Sequence, residues 1–193
     1  MALTACTGGG TPGPAGSASG SESISSEASS ALPYAGAPKV SDPLPPSVLS
    51  GDPCADALTP DQVKAALGSP VRTKPDTIGG LGPFCSWTNT DTTSAAKISV
   101  AFDTTTHQGL SGAYQNSKPQ SKVWQESTID GLPAVTHVSE HDHCQIFVGL
   151  ADDALIDVGG YLSLSKIDKA DPCETTKKVV SAVVTTLKQK AGS

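Results

Sequence analysis

The chain has 193 residues, a formal net charge of −6 and only two tryptophan, three tyrosine and three phenylalanine residues. This length accommodates one domain with a core made mainly of Val, Leu, Ile and Ala. The acidic charge and the lack of a Lys/Arg cluster exclude a nucleic-acid partner and a polybasic contact with anionic lipid, because both need positive charge. No apolar run approaches the ~20 residues of a membrane-spanning helix.

The N-terminal residues are typical of a bacterial lipoprotein signal. Leu3, Thr4 and Ala5 precede Cys6, the residue that would be acylated and become the mature N-terminus. A working signal carries a basic and an apolar region upstream, so residues 1–6 are interpreted as the remnant of a longer signal. Residues 7–50, rich in Gly, Ser, Ala and Pro, are predicted to be a disordered tether. We expect Cys6 to anchor one folded domain, over 51–193, to the outer face of the cytoplasmic membrane.

Helix and strand signals begin after residue 51. Thr59, Pro60 and Asp61 are an N-cap, a first-turn proline and a first-turn acid, and Gly68 ends this short helix. Asp171 in the same way caps a long C-terminal helix, and a further short helix is expected around 110–114. Alternating polarity predicts six or seven strands, over 71–77, 84–90, 96–103, 122–128, 134–138, 144–150 and 154–161. The pattern predicts an α+β domain in which the N-terminal and C-terminal helices pack on an antiparallel sheet.

The five cysteines divide into Cys6 and four residues of the folded domain. An even number in an exported domain predicts two disulfides, for which three pairings are possible. We favour Cys54–Cys85 and Cys144–Cys173, because each would join a helix start to a nearby strand. No two cysteines have the close spacing of a structural zinc site.

A histidine cluster is the one candidate for metal chemistry. His141 and His143 lie two residues apart on an extended segment, so they would project to one face, and His137 could be a third ligand for copper or zinc. Glu140 and Asp142 lie between them. The alternative, which we favour, is a polar hairpin tip that binds metal only weakly, with no cofactor.

Catalytic motifs are nearly absent from the sequence. It has no serine nucleophile elbow, no glycine loop for phosphate and no His-Glu-x-x-His. The carboxylate pair Asp152 and Asp153 is interpreted as the polar turn of a hairpin. Trp87 and Trp124 are interpreted as packing residues of strands. We therefore expect a protein that is not an enzyme.

Several local motifs together resemble a known family, the actinobacterial lipoproteins that carry domain of unknown function 3558. The motifs are Asp52-Pro53-Cys54 before a helix, Phe84-Cys85-Ser86-Trp87, Asp130-Gly131-Leu132-Pro133-Ala134-Val135, Cys144 in a strand, and Asp171-Pro172-Cys173 before the last helix. The resemblance covers the whole folded region. It implies export, lipidation, two disulfides and a fold similar to the Mog1/PsbP-like sandwiches, and it implies no reaction.

These observations predict a lipid-anchored, extracytoplasmic binding or interaction module. Its partner would be a protein, a cell-wall component or a small-molecule ligand outside the membrane. The alternative is a surface metal-binding lipoprotein that uses His137, His141 and His143.

Overall fold

The computed structural model describes residues 31–140 and 142–192 of the chain. They form one seven-stranded antiparallel sheet with helices on both faces, which confirms the α+β prediction. The strands are β1 (Val71–Ile78), β2 (Gly82–Asn89), β3 (Lys97–Phe102), β4 (Val123–Ile129), β5 (Leu132–Glu140), β6 (His143–Ala151) and β7 (Ala154–Tyr161). The helices are α1 (Pro53–Asp56), α2 (Pro60–Leu67), α3 (Leu110–Asn116) and α4 (Pro172–Ala191), and 3₁₀ turns cover Pro46–Leu49, Lys118–Gln120 and Leu164–Lys166.

The strand order is β1-β2-β3-β7-β6-β5-β4, so the β6–β7 hairpin lies inside the sheet and β1 and β4 form its edges. The seven strand segments predicted from the sequence are all present. The largest difference is β5, which is longer than predicted at both ends. A register shift between His137 and Glu140 lets β5 keep its pairing with β6 beyond the predicted end.

The helices begin where their capping residues predict. The Thr59 side chain accepts a hydrogen bond from the Gln62 backbone N–H, and the Gln62 side chain accepts one from the Thr59 backbone N–H. Asp171 caps α4 by accepting from the Cys173 N–H at 2.8 Å. Gly68 ends α2 at φ +76°, a conformation that side chains disfavour.

Different helices pack on the two faces of the sheet. The first face carries the main core, where α1, α2 and α4 pack on it with aliphatic side chains that include Ile98, Ile146 and Val183. Gly160 lies on this face, and a Cβ there would come within 2.2 Å of Thr176 Oγ1, so α4 approaches the β7 backbone closely. The second face carries α3 over a smaller apolar cluster.

Both disulfides join the helical layer of the first face to the sheet. Cys54 of α1 is bonded to Cys85 of β2, and Cys144 of β6 is bonded to Cys173 of α4. This is the pairing favoured from the sequence. The two bridges tie α1 to β2 and the start of α4 to β6.

An N-terminal arm, residues 31–50, packs along the domain, and this corrects the expected domain boundary at residue 51. The Tyr34 N–H donates to Ser111 Oγ of α3, and the Leu44 N–H donates to the Leu150 carbonyl. Val48 exposes only 1% of its surface beneath α4. The arm was missed because its few apolar residues have no helical or strand periodicity and become buried only through tertiary packing.

The structure leaves the first part of the N-terminal prediction untested. Cys6, residues 1–6 and the tether up to residue 30 lie outside the described residues. Within the described part, no helix combines the length and apolarity needed to cross a bilayer.

Candidate functional site

The second face of the sheet has a polar half beside α3. The helix α3 packs over Val135, Phe147 and Leu155. Beside this covered area, side chains from four strands follow one another in register across β2, β3, β7 and β6. We call this surface the trough and define it by Ser86, Ser99, Gly159, Gln145 and Asp157.

The floor of the trough is recessed. Ser86 and Ser99 expose only 7% and 8% of their surface, whereas Tyr161 on the rim exposes 37%. A Cβ on Gly159 would lie 2.7 Å from Ser99 Oγ and 3.3 Å from His143 Nε2. These two polar atoms therefore lean over Gly159, and a side chain at this position would fill the trough.

Asp157 and Gln145 are the main polar groups of the trough. Asp157 lies on β7 between Ala101 and Phe147, and its Oδ2 accepts a hydrogen bond from Gln145 Nε2 at 2.5 Å. Burial raises the pKa of Asp157 to about 7, although the hydrogen bond from Gln145 acts in the opposite direction. The carboxyl is thus divided between its neutral and charged forms near neutral pH, which makes it both a donor and an acceptor for a ligand.

A small cavity of about 160 Å³ lies on the same face, and its lining includes Phe147, the residue opposite Asp157 on β6. Phe147 and Leu155 from the sheet, Leu81 from the β1–β2 turn and Gly112 and Ala113 from α3 contribute to its lining. Asp103 also lines it, and this carboxylate accepts hydrogen bonds from the Thr105 and Thr106 backbone N–H groups, so it shapes the local loop.

The opposite rim is a stack of three side chains. The rings of His143 and Tyr161 lie parallel with centroids 4.1 Å apart, and Lys97 Nζ lies 5.3 Å from the Tyr161 centroid. Burial lowers the pKa of His143 and raises the pKa of Tyr161, so both rings favour their neutral forms. Several titratable groups with perturbed pKa values on one sheet face are a physical indication of a functional surface.

His137 of β5 lies opposite Gln145 of β6, and its ring is near the rings of Trp124 and Phe147. Its Nδ1 atom is 2.5 Å from Ser121 Oγ, and Ser121 Oγ donates its single proton to the Ser117 carbonyl at 2.9 Å. In the tautomer that carries its proton on Nδ1, His137 donates to Ser121 Oγ. Burial lowers the pKa of His137, in keeping with a neutral ring. A histidine that donates to the serine does not accept the serine's proton, so in this tautomer the pair lacks the arrangement of an activated nucleophile.

A second polar cluster lies at the outer edge of the same face, around Trp124 of β4. Tyr114 and Trp124 make an edge-to-face contact with centroids 5.1 Å apart, and Lys118 Nζ lies over both rings. Lys118 Nζ is also 3.4 Å from Glu126 Oε1. The Tyr114 hydroxyl and then Lys118 lower the pKa of Glu126, so this exposed carboxylate is charged.

Comparison with known proteins identifies the family. The profile of a family described as "Protein of unknown function (DUF3558)" matches residues 1–186. The chain belongs to the DUF3558 family. No curated protein and no solved structure matches this DUF3558 chain, so the expected likeness to Mog1/PsbP folds stays a prediction.

The structure places the sequence-predicted site residues of this DUF3558 domain in different roles. His137 and His143 lie on the same face in neighbouring strands, while His141 lies outside the described residues. Within residues 31–140 and 142–192, no three His, Cys, Asp or Glu side chains converge as a metal site would require. The metal hypothesis therefore stays a prediction. Asp152 accepts a hydrogen bond from the Val40 N–H at 2.8 Å, so it holds the N-terminal arm.

Sequence reasoning missed Asp157 and Gln145. Each is the single polar side chain within an otherwise apolar stretch of its strand, in Leu155-Ile156-Asp157-Val158 and Cys144-Gln145-Ile146-Phe147. An isolated carboxylate in the middle of a buried strand was the available signal, because such a group needs a partner or a ligand.

Proposed function

We propose that this DUF3558 protein is a lipid-anchored binding module of the extracytoplasmic surface and that the trough holds its ligand. The observation that supports this proposal is the recessed polar strip around Gly159, where Ser99 Oγ, His143 Nε2 and the Asp157–Gln145 pair lie on one face of the sheet. Rigid strands position these groups, as is usual in a preformed ligand site.

Binding accounts for this surface better than catalysis does. While Ser121 Oγ donates to the Ser117 carbonyl, it cannot give its proton to His137, which nucleophilic attack would require. Asp157 is near a pKa suited to proton transfer, but its hydrogen-bond partner is the amide of Gln145, which neither gives up nor takes a proton. The groups of the trough can instead exchange hydrogen bonds with a neutral or weakly charged ligand.

The location rests on two independent features. The Leu3-Thr4-Ala5-Cys6 motif supports acylation at Cys6, and two disulfides support an oxidising compartment. In the natural cell, we expect mass spectrometry of the N-terminal peptide to find acyl groups on Cys6. A Cys6→Ala variant should carry no acyl groups; their absence from the wild-type peptide would contradict lipid anchoring.

The trough can be tested with a matched pair of glycine variants. Gly159→Ile places a side chain across the trough, whereas Gly79→Ile adds the same side chain at a turn where a Cβ meets nothing within 4 Å. The lipidated protein would be cross-linked in its own cells, and what it captures would be identified by mass spectrometry. We expect Gly159→Ile to lose a set of partners that Gly79→Ile retains.

A folding defect is a separate explanation for loss in Gly159→Ile, so circular dichroism must show native structure in both variants. Gln145→Ala removes a hydrogen-bonding group of the trough without adding bulk and should weaken the same capture. If all three variants capture the same set as the wild type, the ligand does not bind in the trough.

A further inference from the structure

The two edges of the sheet differ in their protection against strand addition. On β1, Pro75 lacks a backbone N–H, and the side chains of Lys74 and Asp76 beside it form an exposed ion pair. Proline and charge are the usual devices that prevent an edge strand from pairing with another chain. On β4 there is no proline, and its pairing with β5 runs without a bulge from Val123 to Ile129.

The strand β4 also exposes a large apolar side chain. Val123 exposes 49% of its surface and is one of the few large apolar side chains of the described residues to do so. The Lys122 N–H donates to the Val138 carbonyl at 2.9 Å, so the chain follows β5 from one residue before the strand. Five residues, 122–126, therefore offer an extended and accessible edge.

A second copy of the same strand would fit this edge in one register. In an antiparallel pair related by a two-fold axis, opposite residues lie on the same face of the sheet. The axis must therefore lie midway between the two copies of one residue, which face each other across it. With the axis at Trp124, Lys122 of each copy lies opposite Glu126 of the other. With the axis at Glu126, two carboxylates oppose each other, and with the axis at Gln125 neither charge has an opposite partner.

We propose that β4 is a self-association edge at which two copies of this chain pair antiparallel, centred on Trp124. Two Lys122–Glu126 pairs and two Val123–Gln125 pairs then flank the axis. Opposite charges directly across strands favour pairing, and like charges oppose it. Glu126 already has Lys118 Nζ at 3.4 Å, so its carboxylate can accept from both lysines.

The axis is perpendicular to the sheet, so both troughs lie on the same side of one continuous sheet of two copies. The interface is small, and we expect a dissociation constant on the order of 10–100 µM in solution. Anchoring both copies in one membrane would raise their local concentration and favour the pair. The pairing does not depend on what the trough binds.

Analytical ultracentrifugation of the full, non-acylated chain tests the proposal. Cys6→Ser is included in every sample to exclude a disulfide through that thiol. We expect a monomer–dimer equilibrium over about 5–500 µM. Lys122→Glu and Glu126→Lys should each weaken the dimer at least about tenfold, because each places like charges opposite at two positions, and the double variant should restore it to within about threefold.

Lys74→Glu is the matched control, since it reverses an exposed lysine on the other edge of the sheet and should leave the dimer unchanged. The register is tested by cross-linking: in oxidising buffer, Val123→Cys with Gln125→Cys should form intermolecular disulfides, and Val123→Cys with Ser127→Cys should form far fewer. A chain that stays monomeric up to about 500 µM overturns the proposal. A dimer that Lys74→Glu weakens, or that the charge swap does not restore, overturns it as well.

Discussion

Replacing Asp157 with asparagine should stabilise the domain at neutral pH, because the native carboxyl is held in surroundings that disfavour its charge. Burial raises the pKa of Asp157 from 3.8 to about 7. A group whose pKa is higher in the folded state binds more protons there than in the unfolded chain. Its ionisation therefore lowers the free energy of unfolding as the pH rises from about 4 to about 7, and the loss is complete above about pH 7.

The size of the effect follows from the shift. Each pKa unit corresponds to about 1.4 kcal/mol, so the upper limit is about 4 kcal/mol. The side chain keeps partial access to solvent, which reduces this figure, and we expect about 2–3 kcal/mol. An asparagine side chain at this position is neutral at every pH, and its amide oxygen can still accept the hydrogen bond that Gln145 donates to Asp157.

Urea unfolding of wild type and Asp157→Asn at several values between about pH 4 and pH 8 measures the difference directly. The two proteins should have similar stability near pH 4, and the variant should be more stable by the stated amount near pH 8. Asp76→Asn is the control, because backbone and side-chain hydrogen bonds from Thr77 and Lys74 lower the pKa of Asp76, so its removal should not stabilise the protein. Equal stability of wild type and Asp157→Asn at pH 8 would refute the assignment of Asp157 as a partly buried, destabilised carboxylate.

Three further predictions concern the arm, the disulfides and metal. A truncated chain that starts at residue 51 should lose at least about 3 kcal/mol of unfolding free energy in urea, because it lacks the buried side chains of Val40, Val48 and Leu49. A chain that starts at residue 31 should keep its stability. Equal stability of the two chains would show that the arm does not pack. Replacing Cys54 and Cys85 by alanine should cost about 3.5 kcal/mol, since the bridge closes a loop of 31 residues, and peptide mapping without reductant should recover Cys54–Cys85 and Cys144–Cys173 but no bridge to Cys6. Isothermal titration with copper and zinc should find no binding tighter than about 1 µM; nanomolar binding that His141→Ala and His143→Ala abolish would establish the metal site instead.

Local rules account for most of the fold. Thr59, Pro60, Asp171 and Pro172 fix where two helices begin, because caps and first-turn prolines act through neighbouring residues. The strands follow from alternation, which reports one buried face at a time. The cysteine pairing followed from compartment and from the positions of the helix starts.

The arm and the trough required information that no local pattern carries. Val48 and Leu49 stand among prolines and serines, and only their contact with α4 explains their burial. In the sequence, Asp157 is an unexplained carboxylate in an apolar strand. Its surroundings are known only once β3 and β6 are known to be the neighbours of β7. The site depends on which strands are neighbours, and strand order is the property that sequence periodicity does not determine.

If Cys6 anchors the protein as proposed, the course of the N-terminal arm has a mechanical consequence. The arm begins at α3 on one side of the sheet, passes Asp152 at the β6–β7 turn and ends beneath α4 on the other side. A pull on residue 31 would therefore load these contacts one after another, and each is a single hydrogen bond or a few apolar contacts. The arm should peel away at low force, while the two cross-linked layers behind it stay intact. It would act as an extensible section of about 20 residues, adding up to roughly 65–70 Å of reach before the sheet bears any tension.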